Sequence, residues 1–213
     1  EGTGPWIELI GKAGTATEAT QLYQALINDA ALTPATRVRI ADALIDAARA
    51  RNVRPNGDLV GIGEFLNDRT PRDLRLRGIR LVGQWKIASL IGKIGYAFGG
   101  DAKDDELRSA AVDAMRQTGQ QVSLNILREL TKADRPAAVR RTALPALAVH
   151  APGEALKAIP SVFAQISSRP QAVQTWTQLF QIGSFAPQLA KEFPKGLSPD
   201  NLAAALQAAG VDA

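Results

Sequence analysis

The chain has 213 residues, of which 46% are hydrophobic and 5% aromatic, and its formal net charge is +4. These values describe a globular protein that can bury a core, and the charge is far below that of a dedicated nucleic-acid-binding protein. Because these residues include no cysteine, they exclude disulfides, thiolate metal sites, cysteine nucleophiles and haem attached through a Cys-x-x-Cys-His motif.

The N-terminal part, residues 1–32, contains two segments with helical spacing of apolar residues, 6–14 and 18–30. It starts at Glu1 rather than at a methionine and lacks the basic start and apolar stretch of a signal peptide, so we expect a mature product or an excised piece of a longer protein. No apolar run in the chain reaches the roughly 20 residues that a membrane-spanning helix needs, so we expect no membrane insertion.

The central part, about residues 33–167, repeats one helical pattern four times. Each copy starts with an apolar residue or threonine, continues with an arginine, and ends in small and aliphatic residues. The copies begin at Thr36, Leu74, Leu107 and Val139, at separations of 38, 33 and 32 residues. The first, fifth, eighth and ninth positions of each copy fall on one helix face, which we predict to be the buried seam of the repeat. Small residues on this face let a neighbouring helix approach closely.

Each copy follows a helix-start signal and precedes a second apolar helix. Proline and capping residues mark the starts, at Thr33-Pro34, Thr70-Pro71, Asp101 to Glu106 and Asp134-Arg135-Pro136. The second helices carry apolar stripes such as Ile87, Leu90, Ile91, Ile94 and Phe98; Val122, Ile126, Leu127 and Leu130; and Leu156, Ile159, Phe163 and Ile166. One pair of amphipathic helices cannot close a core alone, so the pairs must stack on each other, which predicts an all-α solenoid.

The C-terminal part continues the pattern more weakly, with helical segments at 171–182, 185–193 and 199–209. No stretch rich in proline or glycine separates it from the rest, so we predict that residues 1–213 form a single repeat domain of about five to six helix pairs. Residues 1–32 and 168–213 are then degenerate or capping repeats.

The unit length, the paired helices and the apolar-Arg-x-x-Ala-apolar-x-Ala-Leu pattern resemble HEAT repeats, most clearly at Val139 to Leu147 and Leu107 to Met115. The resemblance spans most of the chain. It implies a right-handed α-α superhelix whose curved surface docks a protein or an adjacent domain of the same polypeptide.

A narrower resemblance lies in Leu81-Val82-Gly83-Gln84-Trp85-Lys86, together with Leu107-Arg108-Ser109-Ala110-Ala111 and Pro5-Trp6-Ile7-Glu8-Leu9. These segments are similar to the helical-repeat region of large bacterial haem-binding membrane-bound dehydrogenases, which join a propeller-like dehydrogenase domain, HEAT-like repeats and a c-type cytochrome domain. The resemblance implies a spacer or docking platform between redox domains, outside the cytoplasm. The haem motif of that family is absent from this sequence.

The residues that could carry chemistry have structural interpretations. The single histidine, His150, ends a predicted helix, and one histidine cannot form a metal site. The acidic run Asp101, Asp104, Asp105 and Glu106 lacks the spacing of a calcium loop and is typical of a helix start. Glycines at Gly61-Ile62-Gly63 and Gly92 to Gly95 lack the spacing of a phosphate loop, so we expect them to permit close packing. We therefore predict no catalytic residue, no cofactor and no metal in this segment.

The segment Arg69 to Lys86 is the feature with most functional promise, because its six cations face one acid, Asp73. We name it the arginine segment and predict it as an interaction surface, consisting of Arg69, Arg72, Arg75, Arg77, Arg80 and Lys86. With Arg37, Arg39, Arg49, Arg51 and Arg54 it could form a positive stripe. The interpretation we favour is that these arginines pair with acids such as Asp42, Asp46 and Asp113, or are solvated.

Two functions remain open from the sequence. The first is a non-catalytic scaffold for protein or interdomain docking, within a larger redox protein; the alternative is a nucleic-acid-binding repeat protein that uses the arginine-rich face. The tryptophans Trp6, Trp85 and Trp176 are expected in the core, and an exposed one would mark a protein interface.

Overall fold

The protein is described from a computed structural model that covers residues 4–100 and 103–210. Over these residues it is all-helical, without a β-strand, which confirms the predicted fold class. The α-helices are α1 Trp6–Ala13, α2 Ala16–Asn28, α3 Pro34–Arg51, α4 Arg72–Gln84, α5 Ala88–Ile94, α6 Asp105–Thr118, α7 Gln121–Leu130, α8 Ala137–His150, α9 Pro152–Phe163, α10 Arg169–Phe180, α11 Ala186–Lys191 and α12 Pro199–Ala208. A 3₁₀ helix, Val60–Leu66, precedes α4, and a π-helical turn, Gly95–Gly99, follows α5.

The helices form two compact units that divide between Ile94 and Gly95. In the first unit, α3 packs against α1, α2 and α4, and the 3₁₀ helix packs against α4. In the second unit, α8 packs against α6, α7, α9 and α10, and α12 packs against α10. Neighbouring repeats therefore contact through their first helices within each unit. That residues 1–213 form one repeat domain stays a prediction.

The predicted seam is confirmed on all four first helices, α3, α4, α6 and α8. Apart from Thr36, which is half-buried, the seam residues are buried: Ile40, Ala43, Leu44, Leu74, Gly78, Leu81, Val82, Leu107, Ala111, Ala114, Met115, Val139, Ala143, Ala146 and Leu147. Small residues are needed there because the helices cross closely. A Cβ added to Gly78 would lie 3.0 Å from the Cβ of Phe65 in the 3₁₀ helix.

Two of the four predicted helix starts have a side-chain cap, whereas α4 and α8 begin directly after Pro71 and Pro136 without one. The Thr33 hydroxyl accepts a hydrogen bond from the Thr36 backbone amide at 3.1 Å, and Pro34 begins α3. The Asp104 carboxylate accepts from the amides of Glu106 and Leu107 at 3.2 and 3.0 Å and thereby caps α6. Asp101, which was part of the same predicted signal, lies outside the described residues.

The second helices differ more from the predictions. The stripe from Ile87 to Phe98 is buried, but Val122 at the start of α7 is 48% exposed, and Ile166 lies beyond the end of α9. The first copy has the short 3₁₀ helix instead of a second α-helix.

Two of the tryptophans anchor the cores. Trp85 meets Tyr23 edge-on at a centroid distance of 5.6 Å in the first unit. Trp176 stacks on rings from Phe163, Phe180 and Phe193 in the second unit, at 4.4 to 5.7 Å. The expectation that all three tryptophans lie in the core is wrong for Trp6, which is 69% exposed on α1.

Candidate functional site

Arginines of the first unit bind the C-terminal carbonyl groups of the helices beside them. Arg37 donates to the carbonyl oxygens of Leu26 and Asp29, at the end of α2, at 2.8 and 2.6 Å. Arg51 donates to three carbonyls around the end of α1, those of Ile10, Gly11 and Gly14, at 2.6 to 3.2 Å. Helix C-termini have carbonyls without partners and a partial negative charge, so these guanidinium groups stabilise the helix ends.

Two further arginines join neighbouring helices of the first unit through ion pairs. Arg39 on α3 donates to both carboxylate oxygens of Glu8 on α1, at 2.8 and 3.0 Å, and Arg77 on α4 donates to both oxygens of Asp42 on α3, at 2.8 and 2.9 Å. The hydrogen bond from Arg39 lowers the pKa of Glu8. These geometries are bidentate, which fixes the relative position of the helices as well as neutralising charge.

The arginine segment is consequently less basic than its composition indicates. Besides the Arg77 pair, Arg75 donates to Asp68 at 3.2 Å. Arg69 lines a shallow depression together with the acidic residues Glu64 and Asp68. The side chains of Arg69 and Lys86 are exposed and form no hydrogen bond or ion pair with any described residue, and Arg72 and Arg80 are also exposed. The segment thus divides into cations used in packing and cations that face solvent.

The second unit contains a groove of about 570 Å³, lined by both polar and apolar side chains, across the first helices of three successive repeats, α6, α8 and α10. We refer to it as the groove. It is lined by Asp105, Arg108, Ser109, Val112, Asp113, Arg116, Arg141, Thr142, Pro145, Ala146, Val149, Gln174, Thr175, Gln178, Gln181 and Ile182. Stacked first helices generate it directly, because each places the same side of its surface next to that of its neighbour.

The charges in the groove are mostly paired. Arg108, which is 1% exposed, donates to Asp105 on its own helix and to the Thr142 hydroxyl on α8, the latter at 3.1 Å. Arg116 donates to Asp113 at 3.0 Å. Arg141 differs, because it forms no ion pair or side-chain hydrogen bond with any residue that the structure describes. After pairing, the groove carries one uncompensated positive charge.

A row of three glutamines forms the α10 side of the groove. Gln174, Gln178 and Gln181 follow the spacing i, i+4 and i+7, so they share one helix face, and all three are exposed. Their side-chain amides make no hydrogen bond within the described part of the chain. Each amide group has two donor hydrogens and an acceptor oxygen, so the row offers unused hydrogen-bonding groups along the groove.

The remaining candidate residues have structural roles. His150 lies at the end of α8, and its Nε2 donates to the carbonyl of Arg116, near the end of α6, at 2.9 Å. Among the described residues no group of three or more His, Cys, Asp or Glu side chains could hold a metal ion. Gly61, Gly63 and Gly95 sit where an added Cβ would approach a neighbour to within about 3 Å, as expected, but Gly92 has open space around it.

The comparison with protein families agrees with this geometry. Residues 60–148 match the family model for HEAT repeats, which covers the copies that begin at Leu74, Leu107 and Val139. This part of the chain therefore resembles HEAT repeats. No curated protein and no solved structure matches it significantly. In residues 4–100 and 103–210 no helix is both long and apolar enough to cross a membrane.

The groove could not be recognised from the sequence. Its residues come from three helices that are separated by about thirty residues each, so no local motif contains them. The signal that could have been used is the glutamine spacing on α10, together with Pro145 inside α8. Proline in the middle of a helix removes a backbone hydrogen bond and is unusual unless the position has a special role.

Proposed function

We propose that this chain is a non-catalytic helical-repeat scaffold that docks another protein or a neighbouring domain of the same polypeptide. The observation that carries the proposal is the groove, an open surface of polar and apolar side chains assembled from three successive first helices. HEAT repeats generally serve as protein-interaction scaffolds, and stacked repeats do so because they create extended surfaces of this kind.

The chemistry of the groove supports docking rather than catalysis. Its two carboxylates, those of Asp105 and Asp113, are each held in an ion pair with an arginine one turn away on the same helix. A general base or nucleophile needs a converging partner that activates it and a place for the reacting atom. A paired carboxylate on a wide, solvated groove supplies neither, whereas hydrogen-bonding amides and one free cation suit recognition.

The arginine segment is a second candidate docking surface, through Arg69, Arg72, Arg80 and Lys86. Nucleic-acid binding through the same residues is the alternative, and it requires several cations that are free to meet phosphates. Arg75 and Arg77 are engaged with Asp68 and Asp42, which favours a protein partner over a polyanion. A gel-shift experiment with duplex and single-stranded DNA at low salt tests the alternative, which predicts a complex that dissociates steeply as salt rises.

The parent protein is a further part of the proposal. We infer from the resemblance at Leu81 to Lys86 that the repeats separate redox domains in a larger protein outside the cytoplasm. Leu81, Val82 and Trp85 are buried in the first unit, so the residues that carry this resemblance are packing residues. They support a type of helical repeat that this chain and that family share. The haem chemistry would belong to other domains of the larger protein.

Site-specific photo-crosslinking tests the scaffold role. A photoreactive amino acid at Gln178 in the groove, compared with one at exposed Gln188 on α11, should cross-link a distinct polypeptide in extract of the source organism. Excess unmodified protein should compete with the reaction. Equal cross-linking from both positions, or products that contain nucleic acid but no polypeptide, would contradict docking at the groove.

A further inference from the structure

We propose that the groove binds an extended, acidic peptide segment, with Arg141 holding a carboxylate of the ligand and the glutamine row holding its backbone. This inference rests on the proposed docking function and adds the chemical class of the partner. It is based on three features of the groove: its residual charge, its unused amides and the proline within the helix that carries Arg141.

The uncompensated positive charge of the groove favours a ligand with a negative charge. Arg108 and Arg116 are neutralised by Asp105 and Asp113, which leaves the Arg141 guanidinium as the cation without a counterion among the described groove residues. A guanidinium group matches a carboxylate in a planar, two-bond geometry. A ligand with a carboxylate at this point compensates the charge, whereas a basic ligand meets repulsion.

The spacing of the three glutamines matches a ligand whose peptide backbone is extended. From Gln174 to Gln181 the helix rises by roughly 10 Å, at about 1.5 Å per residue. An extended peptide covers that distance with about three residues, at roughly 3.3 Å each. Peptide N–H and C=O groups need both acceptors and donors, and a glutamine side chain supplies both. Amides that have no intramolecular partner give up only hydrogen bonds to water when such a strand binds.

Pro145 adds a backbone acceptor beside Arg141. Proline has no N–H, so the carbonyl of Arg141, four residues earlier in α8, lacks the donor that an uninterrupted helix would provide. Both residues line the groove. The ligand-binding side chain of Arg141 and a helix carbonyl without its intrahelical donor therefore belong to the same residue.

Nucleic acid fits the groove less well. One uncompensated cation is far fewer than a phosphate backbone requires, because the carboxylates of Asp105 and Asp113 already neutralise the other two arginines. The groove lining also contains no aromatic side chain, so bases would have no ring to stack on. An acidic peptide carries isolated charges that can be placed at Arg141 and away from the acids.

Fluorescence anisotropy with the whole chain tests the proposal. The probes are fluorescein-labelled decapeptide pools rich in aspartate and glutamate, the same pools with asparagine and glutamine, and pools rich in lysine. We expect the acidic pools to bind more tightly than the amide pools, and the lysine pools not to bind. Arg141→Ala should weaken binding about tenfold, which corresponds to about 1.4 kcal/mol.

Matched variants separate the groove from general charge. Arg135→Ala removes the same charge from an exposed turn outside the groove and should leave binding unchanged. Arg141→Lys keeps the charge without the bidentate geometry and should restore part of the affinity. Gln178→Ala should weaken binding by a smaller factor than Arg141→Ala. Far-ultraviolet circular dichroism checks that each variant keeps its helices.

Four outcomes would overturn the inference. Equal affinity for acidic and amide pools would remove the charge argument, and equal effects of Arg141→Ala and Arg135→Ala would place the peptide elsewhere. Displacement of the peptide by a single-stranded oligonucleotide at equal concentration would indicate a polyanion site. If photo-crosslinking from Gln178 captures a polypeptide while acidic pools do not bind, the scaffold role stands and this inference fails.

Discussion

Arg37 in the first unit and Arg140 in the second unit hold the same position in their repeats, directly after the start of the pattern. Both donate to carbonyls at the end of the preceding helix: Arg37 to Leu26 and Asp29, and Arg140 to Thr131, at 3.1 Å. Their surroundings differ, because Arg37 is half-buried and Arg140 is 1% exposed. In these two repeats the arginine therefore has the same role at two depths, whereas Arg75 and Arg108, at the same position, donate to Asp68 and Asp105.

The degree of burial determines how many hydrogen bonds the repeat arginine needs. Burial lowers the pKa of Arg140, because taking a guanidinium out of water destabilises its charged form. The cost is offset by hydrogen bonds: besides Thr131, Arg140 donates to the carbonyl and the hydroxyl of Ser161 on α9 at 2.8 and 2.6 Å. A buried charge whose three guanidinium nitrogens each donate a hydrogen bond joins three helices of the second unit, whereas Arg37 remains in contact with water.

The largest expected effect is the loss of this buried arginine. Arg140→Ala leaves the carbonyls of Thr131 and Ser161 without their donor and opens a cavity, so we expect it to lower the free energy of unfolding by about 3 kcal/mol. Arg37→Ala should cost about 1 kcal/mol, because water can replace the side chain. Urea unfolding followed by tryptophan fluorescence measures both, with Trp176 reporting on the second unit and Trp85 on the first.

Arg135→Ala, in the exposed turn before α8, is the control for the removal of a positive charge and should be nearly neutral. If Arg140→Ala and Arg37→Ala destabilise the protein equally, depth does not distinguish the two arginines and the comparison between the units is wrong.

Substitutions at two glycines also test the comparison between the units, with smaller expected changes in the free energy of unfolding. A Cβ on Gly11 would lie 2.9 Å from the Cα of Ala43 on the facing helix, which is backbone. A Cβ on Gly95 would lie 2.8 Å from Cδ1 of Ile126 and 3.1 Å from the sulfur of Met115, which are side-chain atoms that can turn away. We expect Gly11→Ala to cost about 2 kcal/mol and Gly95→Ala about 1 kcal/mol in urea unfolding.

Gly92→Ala is the matched control, because nothing lies within 4 Å of the added methyl group. Within α5 it should stabilise the protein by about 0.5 kcal/mol through helix propensity. If Gly95→Ala lowers the free energy of unfolding more than Gly11→Ala does, the neighbours of Gly95 in the second unit adjust less readily than those of Gly11 in the first.

How much of this the sequence predicts depends on whether a feature is local. Spacing showed which residues of a first helix share a face, and these faces are buried because each first helix has a neighbour on that side. The same reasoning fails for Trp6 and Val122, because spacing does not tell whether a face at the start of a helix meets another helix.

The candidate site was less predictable than the fold. The repeat arginines were visible, but their acceptors at Leu26 and Thr131 are backbone carbonyls, which no side-chain pattern identifies. The pairing of Arg77 with Asp42 agrees with the interpretation that repeat arginines meet acids of a neighbouring helix. The groove arises only when α6, α8 and α10 lie side by side, and its exposed glutamines look like any solvated helix face until then.

An ion pair that joins two helices should have a larger coupling energy than one within a single helix, by about 1 kcal/mol or less. Arg77 and Asp42 join α4 to α3 in a bidentate geometry, and the Arg77 side chain is largely buried, so we expect a coupling energy of about 1 kcal/mol in a double-mutant cycle. Arg116 and Asp113 lie one turn apart on α6 and are both exposed, so their coupling should be about 0.3 kcal/mol.

Urea unfolding of the four variants of each pair gives these energies. Coupling that disappears in 1 M salt for the Arg116 pair but persists for the Arg77 pair would support the difference in burial. Equal coupling at low salt would mean that joining two helices adds nothing to an ion pair in this protein.

The smallest expected effect concerns pH. Arg128 on α7 donates to both oxygens of Glu154 on α9 at 2.7 Å, and this hydrogen bonding lowers the pKa of Glu154 from its ordinary value of 4.5. A carboxyl group whose pKa is lower in the folded state stabilises the fold above the unfolded-state pKa, and this contribution is lost as the pH falls through the folded-state pKa. Because the pair is partly exposed, solvent weakens the effect.

Glu154→Gln should therefore flatten the dependence of the urea midpoint on pH below about pH 4.5 and leave its slope above about pH 6 unchanged. Glu8→Gln makes the corresponding test in the first unit, where Arg39 lowers the pKa of Glu8 in the same way. Both pairs join helices at the surface, unlike the buried contacts of Arg140, so the two units should respond alike to acid. A steeper loss of stability in Glu154→Gln than in the unmodified protein would contradict the sign of the shift, because removing the titrating group can only remove its share of the pH dependence.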